Sequence, residues 1–316
     1  MPKLHIDTDI GGDIDDLCAL AMVLAWPDVE LVGVTTVSDD RGKRAGYARY
    51  ALNLADRNDV PVAAGADVAL GCYRGRPGFP DESTYWPEPV APAPTPLDDA
   101  LALLEESIER HATIVAIGPY TNLALVEQRS PGILNRASLF LMGGYVFPPR
   151  RGYPQREADS DYNIQVDVRS AKYVLDHSNP TLVPLSITVE TWLRRAYLDR
   201  LRTGGQLARL IARQAEAYAA DEKKEERYGR ACASLPDDTI NFQHDPLACA
   251  VALGWNEGVE IREIPLTVEI DNGFVRERID DAGRPMKVLT RVDGAAFSDF
   301  WLRTVADQGV ATLFRR

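Results

Sequence analysis

The chain has 316 residues, of which 45% are hydrophobic and 26% charged, with a formal net charge of −12. That length suffices for one large α/β core, the composition is that of a chain that folds in water, and no run of residues is apolar and long enough to span a bilayer. The negative field repels phosphate backbones and anionic lipid surfaces, which argues against nucleic acid and membranes as partners.

In chain order, β-rich apolar runs are expected at residues 4–7, 30–37, 62–64, 113–117, 139–142 and 182–187, alternating with amphipathic helices at 14–26, 43–55, 97–110, 122–129, 168–176 and 206–220. Alternation of this kind predicts an α/β fold, a mainly parallel central sheet with helices on both faces. Beyond residue 258 a small extension of short strands ends in a helix at 295–305. One domain covering 1–316 is expected, with two irregular excursions, 71–96 and 221–242, placed as candidate lids.

The four cysteines, Cys18, Cys72, Cys232 and Cys249, show no Cys-x-x-Cys spacing and read as reduced thiols. Four histidines without a His-Glu-x-x-His pair leave little material for a catalytic zinc site. The first residues run straight into a strand with no leader-like pattern, so a cytoplasmic location is expected.

The most informative segment is Asp7-Thr8-Asp9-Ile10-Gly11-Gly12-Asp13-Ile14-Asp15-Asp16, five aspartates in ten residues between a strand and a helix. In an open parallel sheet such a loop lines the ligand crevice at the carboxyl ends of the strands. Carboxylates crowded there repel one another unless protons or a cation neutralise them, and all-oxygen ligation favours a hard ion such as Ca²⁺ or Mg²⁺. Simpler roles compete: Asp13 as the helix N-cap, Asp15 and Asp16 as complements to the helix dipole. Those leave Asp7 and Asp9 without a reason. Polar residues also end the later strands: Asp39-Asp40, Gly118 to Asn122, Gly143-Gly144, Ser186 and Thr188. Asp159 to Asn163 and His244-Asp245-Pro246 follow, the last opening a helix at 247–253.

Taken together these segments resemble the inosine-uridine nucleoside hydrolase family. The likeness runs from Lys3 to about Leu253, through Asp7-Thr8-Asp9, Gly11, Asp15-Asp16, Val34 to Val37, Gly118 to Asn122, Met142-Gly143-Gly144, Tyr162-Asn163 and His244 to Ala248. The resemblance implies a Rossmann-related nucleoside hydrolase fold, a nucleoside-like substrate, a homodimer or homotetramer, and Ca²⁺ held by Asp9, Asp16, Asp245 and the backbone carbonyl of Thr121. Asp15 is implied at the metal-site water or the 2′-hydroxyl, Asn163 at ribose hydroxyls, Asp161 in place of the family's usual glutamate, and His244 where many members place the acid for the leaving base. Asp9 would take the proton of the attacking water.

The sequence departs from the family in places. Its opening loop is longer, which leaves Asp13 as a substitute ligand for Asp15. Asp40 stands where most members have asparagine. Trp86 and Tyr228, with Tyr73, Tyr85 and Tyr218, are candidates for stacking on a base. Two other readings stay open: a metal-stabilised nucleoside-binding protein without hydrolysis, and a Mg²⁺-dependent phosphatase with an aspartyl nucleophile in Asp7-x-Asp9.

Overall fold

Leu4 and Ile6 alternate with His5 and Asp7 along strand β1 (Lys3–Thr8), and all four side chains are buried. A strand buried on both faces belongs inside a sheet covered by helices on either side. The computed structural model describes residues 1–67 and 82–307, so Cys72, Tyr73 and part of the first excursion lie outside the described residues.

After β1 come α1 (Asp15–Ala25), β2 (Glu30–Thr36), α2 (Lys43–Leu54), β3 (Val62–Ala64), α3 (Leu97–Glu109), β4 (Thr113–Ala116), α4 (Thr121–Arg129) and β5 (Ser138–Met142). The chain continues through α5 (Tyr162–Gln165), α6 (Val168–His177), β6 (Thr181–Val183), α7 (Leu185–Thr188), β7 (Trp192–Arg194), α8 (Leu198–Thr203) and α9 (Gln206–Glu222). It closes with β8 (Thr239–Phe242), α10 (His244–Ala252), β9 (Glu260–Asp271), β10 (Phe274–Ile279), β11 (Arg284–Arg291) and α11 (Gly294–Ala306).

The main sheet has nine strands in the order β10-β9-β11-β6-β5-β4-β1-β2-β3. From β3 to β11 the neighbours are parallel, whereas β9 and β10 run antiparallel at one edge. Strand β1 pairs with β2 on one side and β4 on the other, so the strand order reverses between β1 and β4. This switch point opens a crevice above the carboxyl ends of the two strands.

The core divides across the sheet. Val115 joins a cluster with α1, α9, α10 and α11, while its neighbours Ile114 and Ala116 join another with α3, α4 and α6, as the two-residue period of a strand requires. Helix α10 is apolar almost all round and packs against α1. Their contact carries the first turn of one helix to the first turn of the other.

The alternating strands and helices of the sequence are present, with boundaries moved by a residue or two. The expected strand at 182–187 is shorter: β6 stops at Val183, and Pro184, unable to donate to a ladder, instead accepts the N–H groups of Ile187 and Thr188 as α7 begins. The C-terminal extension is part of the main sheet, since β11 pairs in parallel with β6. A separate antiparallel pair, β7 with β8, had no counterpart in the sequence reading.

In the second excursion Lys223 takes a left-handed conformation (φ 49°) that ends α9. The next turn is wide, with the Arg230 N–H donating to the Glu225 carbonyl five residues back at 2.8 Å. Such turns recur at functional sites, and this one directs Arg227 and Tyr228 at the crevice. No helix among the described residues is long and apolar enough to cross a membrane.

Candidate active site

A cavity of about 590 Å³ lies over the switch point, within the ~300–1,000 Å³ usual for small-molecule sites. Asp9, Asp13, Asp15 and Asp16 enter it from the loop after β1 and from α1, Asp161 and Asn163 from the start of α5, and His244 and Asp245 from the first turn of α10.

Asp15, Asp16 and Asp245 each offer a carboxylate oxygen within 4.8 Å of the other two, and all three residues are buried. Burial first pushes all three well above the usual carboxylate range, and repulsion adds to it: from Asp13 and Asp9 at Asp15, from Asp9 and Asp15 at Asp16, and from Asp15, Asp16 and Asp9 at Asp245. Three buried carboxylates this close together are a poor arrangement for protein alone and a good one for a hard divalent cation. Thr8 supports the cluster by donating its hydroxyl to Asp16 and accepting the Ile10 N–H at 3.1 Å.

The Asp9 loop is held from outside by Arg44, whose guanidinium donates to the carbonyls of Asp9 and Ile10, while Nε donates to Ser38 at 2.9 Å. Gly118, just past β4, lets the loop close: a Cβ there would stand 2.9 Å from the Asp9 N and Oδ1 atoms and 2.8 Å from Val37. Asp7, by contrast, points into the core, where it is fully buried and accepts from Thr35 at 2.5 Å and Asn122 at 2.8 Å.

Asp13 is neither a helix cap nor a member of the carboxylate cluster. Its Oδ2 accepts from Tyr218 at 2.8 Å and Lys224 at 3.1 Å, and its Oδ1 from Asn241 at 2.6 Å and from the Ile14 N–H at 2.7 Å. Burial alone would raise its pKa, but the Lys224 charge and the Asn241 and Tyr218 hydrogen bonds outweigh it and hold Asp13 well below the ordinary range. Helix α1 starts without a side-chain cap.

Asp161 caps α5, accepting the Ile164 N–H at 3.1 Å and the Gly144 N–H at 2.7 Å. Burial pushes it up to about 6, against the pull of those hydrogen bonds and of Arg156. Asn163 donates to the carbonyls of Ile117 and Met142, at 3.1 Å each, which leaves its own carbonyl oxygen to accept. His244 is buried, with Nδ1 2.6 Å from the Thr188 hydroxyl and its ring against Phe242. Burial, followed by the Arg156 charge, holds its pKa well below 6.5, so the ring is neutral.

Two sequence candidates fall elsewhere. Asp40 is exposed beside Arg41 and borders a second, shallower depression; its neighbour Asp39 is the buried one, tying Thr36 to the start of α2. Trp86 borders that same depression and is buried in an aromatic stack, 4.3 Å from Tyr47 and nearly parallel to it. Thr121 opens α4 at the end of β4, its hydroxyl donating to Asp167 at 2.7 Å. Tyr228 does line the cavity. Sequence reasoning passed over Arg44, Arg156, Lys224 and Asn241: isolated polar letters in loops and charge runs carry no periodic signal, and only the fold aims them.

Fold and site together define an α/β enzyme with a carboxylate-lined crevice at the switch point of its sheet. The chain belongs to the inosine-uridine preferring nucleoside hydrolase family, whose sequence pattern matches residues 4–299, and is a hydrolase acting on N-glycosyl bonds. An uncharacterized protein of Schizosaccharomyces pombe is 32% identical over 198 residues, 59% of this chain and 62% of that protein's length. The inosine-uridine preferring nucleoside hydrolase of Leishmania major is 29% identical over 293 residues, covering 86% of this chain and 85% of the other. Among solved structures, the plant nucleoside hydrolase PpNRh1 shares the fold with a TM-score of 0.79 at 21% identity, over 96% of this chain and 99% of that one.

Proposed function

We propose that the chain hydrolyses the N-glycosidic bond of a nucleoside-like substrate with the help of one Ca²⁺ ion. The observation that carries this reading is the convergence of Asp15, Asp16 and Asp245 within 4.8 Å of one another in a buried crevice. Asp9 and the Thr121 carbonyl complete the proposed ligand set. When bound, the ion supplies Lewis-acid chemistry that neutralises the carboxylates and makes water more acidic.

The remaining steps belong to the side chains. Asp9 accepts the proton of the attacking water, and the surrounding carboxylates stabilise the positive charge that develops on the sugar as the bond to the base breaks. Asp161 and the carbonyl oxygen of Asn163 accept hydrogen bonds from sugar hydroxyls and so place the anomeric carbon. With the Thr188 hydroxyl donating to Nδ1, neutral His244 carries its proton on Nε2 and hydrogen-bonds the base, which leaves with the bonding electron pair and takes up a proton from solvent as Asp9 returns its own.

The phosphatase alternative needs Asp7 and Asp9 together in the crevice, and Asp7 is turned into the core. The experiment that tests the proposal is release of reducing sugar from a panel of purine and pyrimidine nucleosides, in Ca²⁺ and in chelator. Calcium-dependent release, abolished by Asp9→Asn, is expected. Ligand binding without any sugar release would replace hydrolysis by a binding role, and release unaffected by chelation would remove the metal.

A further inference from the structure

Arg156 projects into the cavity from the irregular segment before α5. Its guanidinium lies over the Tyr228 ring at 5.2 Å and the Phe242 ring at 5.5 Å. Its Nε is buried without a hydrogen-bond partner, and among the described residues no carboxylate pairs with it. The neighbouring cations differ: Lys224 is held by Asp13 at 3.1 Å, and Arg227 by Glu222 at 3.1 Å.

This position is built and braced. Gln155 donates to the carbonyls of Arg150 at 3.0 Å and Tyr153 at 2.8 Å, and Arg150 makes a two-pronged ion pair with the fully buried Glu190. Two aromatic faces and a short tether therefore fix where the guanidinium points. Its charge is felt at Asp161 and at His244, the groups assigned to the two ends of the substrate. A partly desolvated guanidinium without a counter-ion is costly, and its planar fork matches a carboxylate or phosphate better than a neutral carbonyl.

We propose that Arg156 binds an anionic group of the substrate, so that the preferred substrates are negatively charged N-glycosides. This rests on the N-glycosidase reading of the same cavity. The charge can sit on the sugar as a phosphate or on the base as a carboxylate, and the ligand chemistry is the same.

The test compares uridine, uridine 5′-monophosphate and 6-carboxyuridine by calorimetric titration in Ca²⁺. The Asp9→Asn protein is used, so that binding is read without turnover, with and without Arg156→Gln. One charged probe is expected to bind about tenfold or more tightly than uridine, with the margin lost in Arg156→Gln and partly kept in Arg156→Lys; uridine binding should change less than about threefold. Which probe gains tells phosphate from carboxylate. No gain for either, or a gain that survives Arg156→Gln, overturns the proposal. Sugar release by the unsubstituted enzyme separates the two readings: uridine hydrolysis without an anion margin removes only the role of Arg156, and a margin without hydrolysis of any probe removes only the activity.

Discussion

The Lys224 ammonium lies 3.1 Å from Asp13 Oδ2, and that ion pair divides the five-aspartate segment into two kinds of carboxylate. Asp13 is satisfied by protein donors. Asp15 and Asp16, two and three residues on, face Asp245 instead.

The division predicts unequal effects on metal affinity. Asp15→Asn, Asp16→Asn and Asp245→Asn should each weaken Ca²⁺ binding about tenfold or more, whereas Asp13→Asn should change it by less than about threefold. Because Lys224 is nearly buried, Asp13→Asn should instead cost stability, on the order of 2 kcal/mol. Calcium titration and urea denaturation of the four variants check both halves; a large affinity loss in Asp13→Asn would return it to the ligand set.

Calcium should stabilise the fold as well as support turnover. An ion that relieves repulsion among three buried carboxylates binds the native state in preference to the unfolded one, adding about 2.7 kcal/mol at a hundredfold excess over Kd. Thermal denaturation in Ca²⁺ and in chelator reads this directly, and identical midpoints would count against a structural site for the ion.

Gly118→Ala is a probe of loop closure. Its Cβ would press on the backbone nitrogen and the Oδ1 atom of Asp9 at 2.9 Å, and although the carboxylate could rotate away, the backbone nitrogen can yield only if the loop shifts. Displacing Asp9 by even a fraction of an ångström should lower kcat by on the order of 10²-fold, with a smaller effect on KM. Steady-state kinetics on any accepted nucleoside will show whether kcat falls; an unchanged kcat would mean that Asp9 needs no such positioning.

Glu277 on β10 gives a pH signature. It is buried, with Oε1 unpartnered among the described residues and only the Tyr145 N–H, at 3.4 Å, on Oε2. Burial, followed by the Asp161 charge, raises it from 4.5 to about 7. The native state then holds the proton more tightly than the unfolded state, so stability is highest below the unfolded value and falls as pH rises towards 7. Glu277→Gln removes the ionisation and should be more stable than the parent above pH 7, by about 3 kcal/mol, with the two converging near pH 4.5. Denaturation curves across that range test the sign; a gap that does not vary with pH would show that Glu277 does not ionise with folding.

Much of the fold was legible in the sequence because its signals are local. Apolar runs such as Leu4 to Ile6 and Leu139 to Met142 mark buried strands wherever they occur, and helix α10 is apolar almost regardless of what it packs on. The small pair β7–β8 had no such signal, since it forms only when Thr239 to Phe242 returns to Trp192 to Arg194 across a long stretch of chain. Its strands are stabilised by one another, not by their own pattern.

The same distinction runs through the site. Sequence by itself determined that carboxylates would gather at the ends of the strands, because the crowding of Asp7 to Asp16 and the opening of α10 at His244-Asp245 are written in consecutive letters. Only the tertiary structure decided which way each one faces: Asp7 into the core, Asp13 onto Lys224, Asp40 out to solvent, and Asp15 and Asp16 onto Asp245. Arg156 and Lys224 were anonymous surface charges until packing removed their water. A charge acquires its partner, and hence its protonation state and its use, from whatever the fold brings within a few ångströms, and that distance is set by contacts remote in sequence.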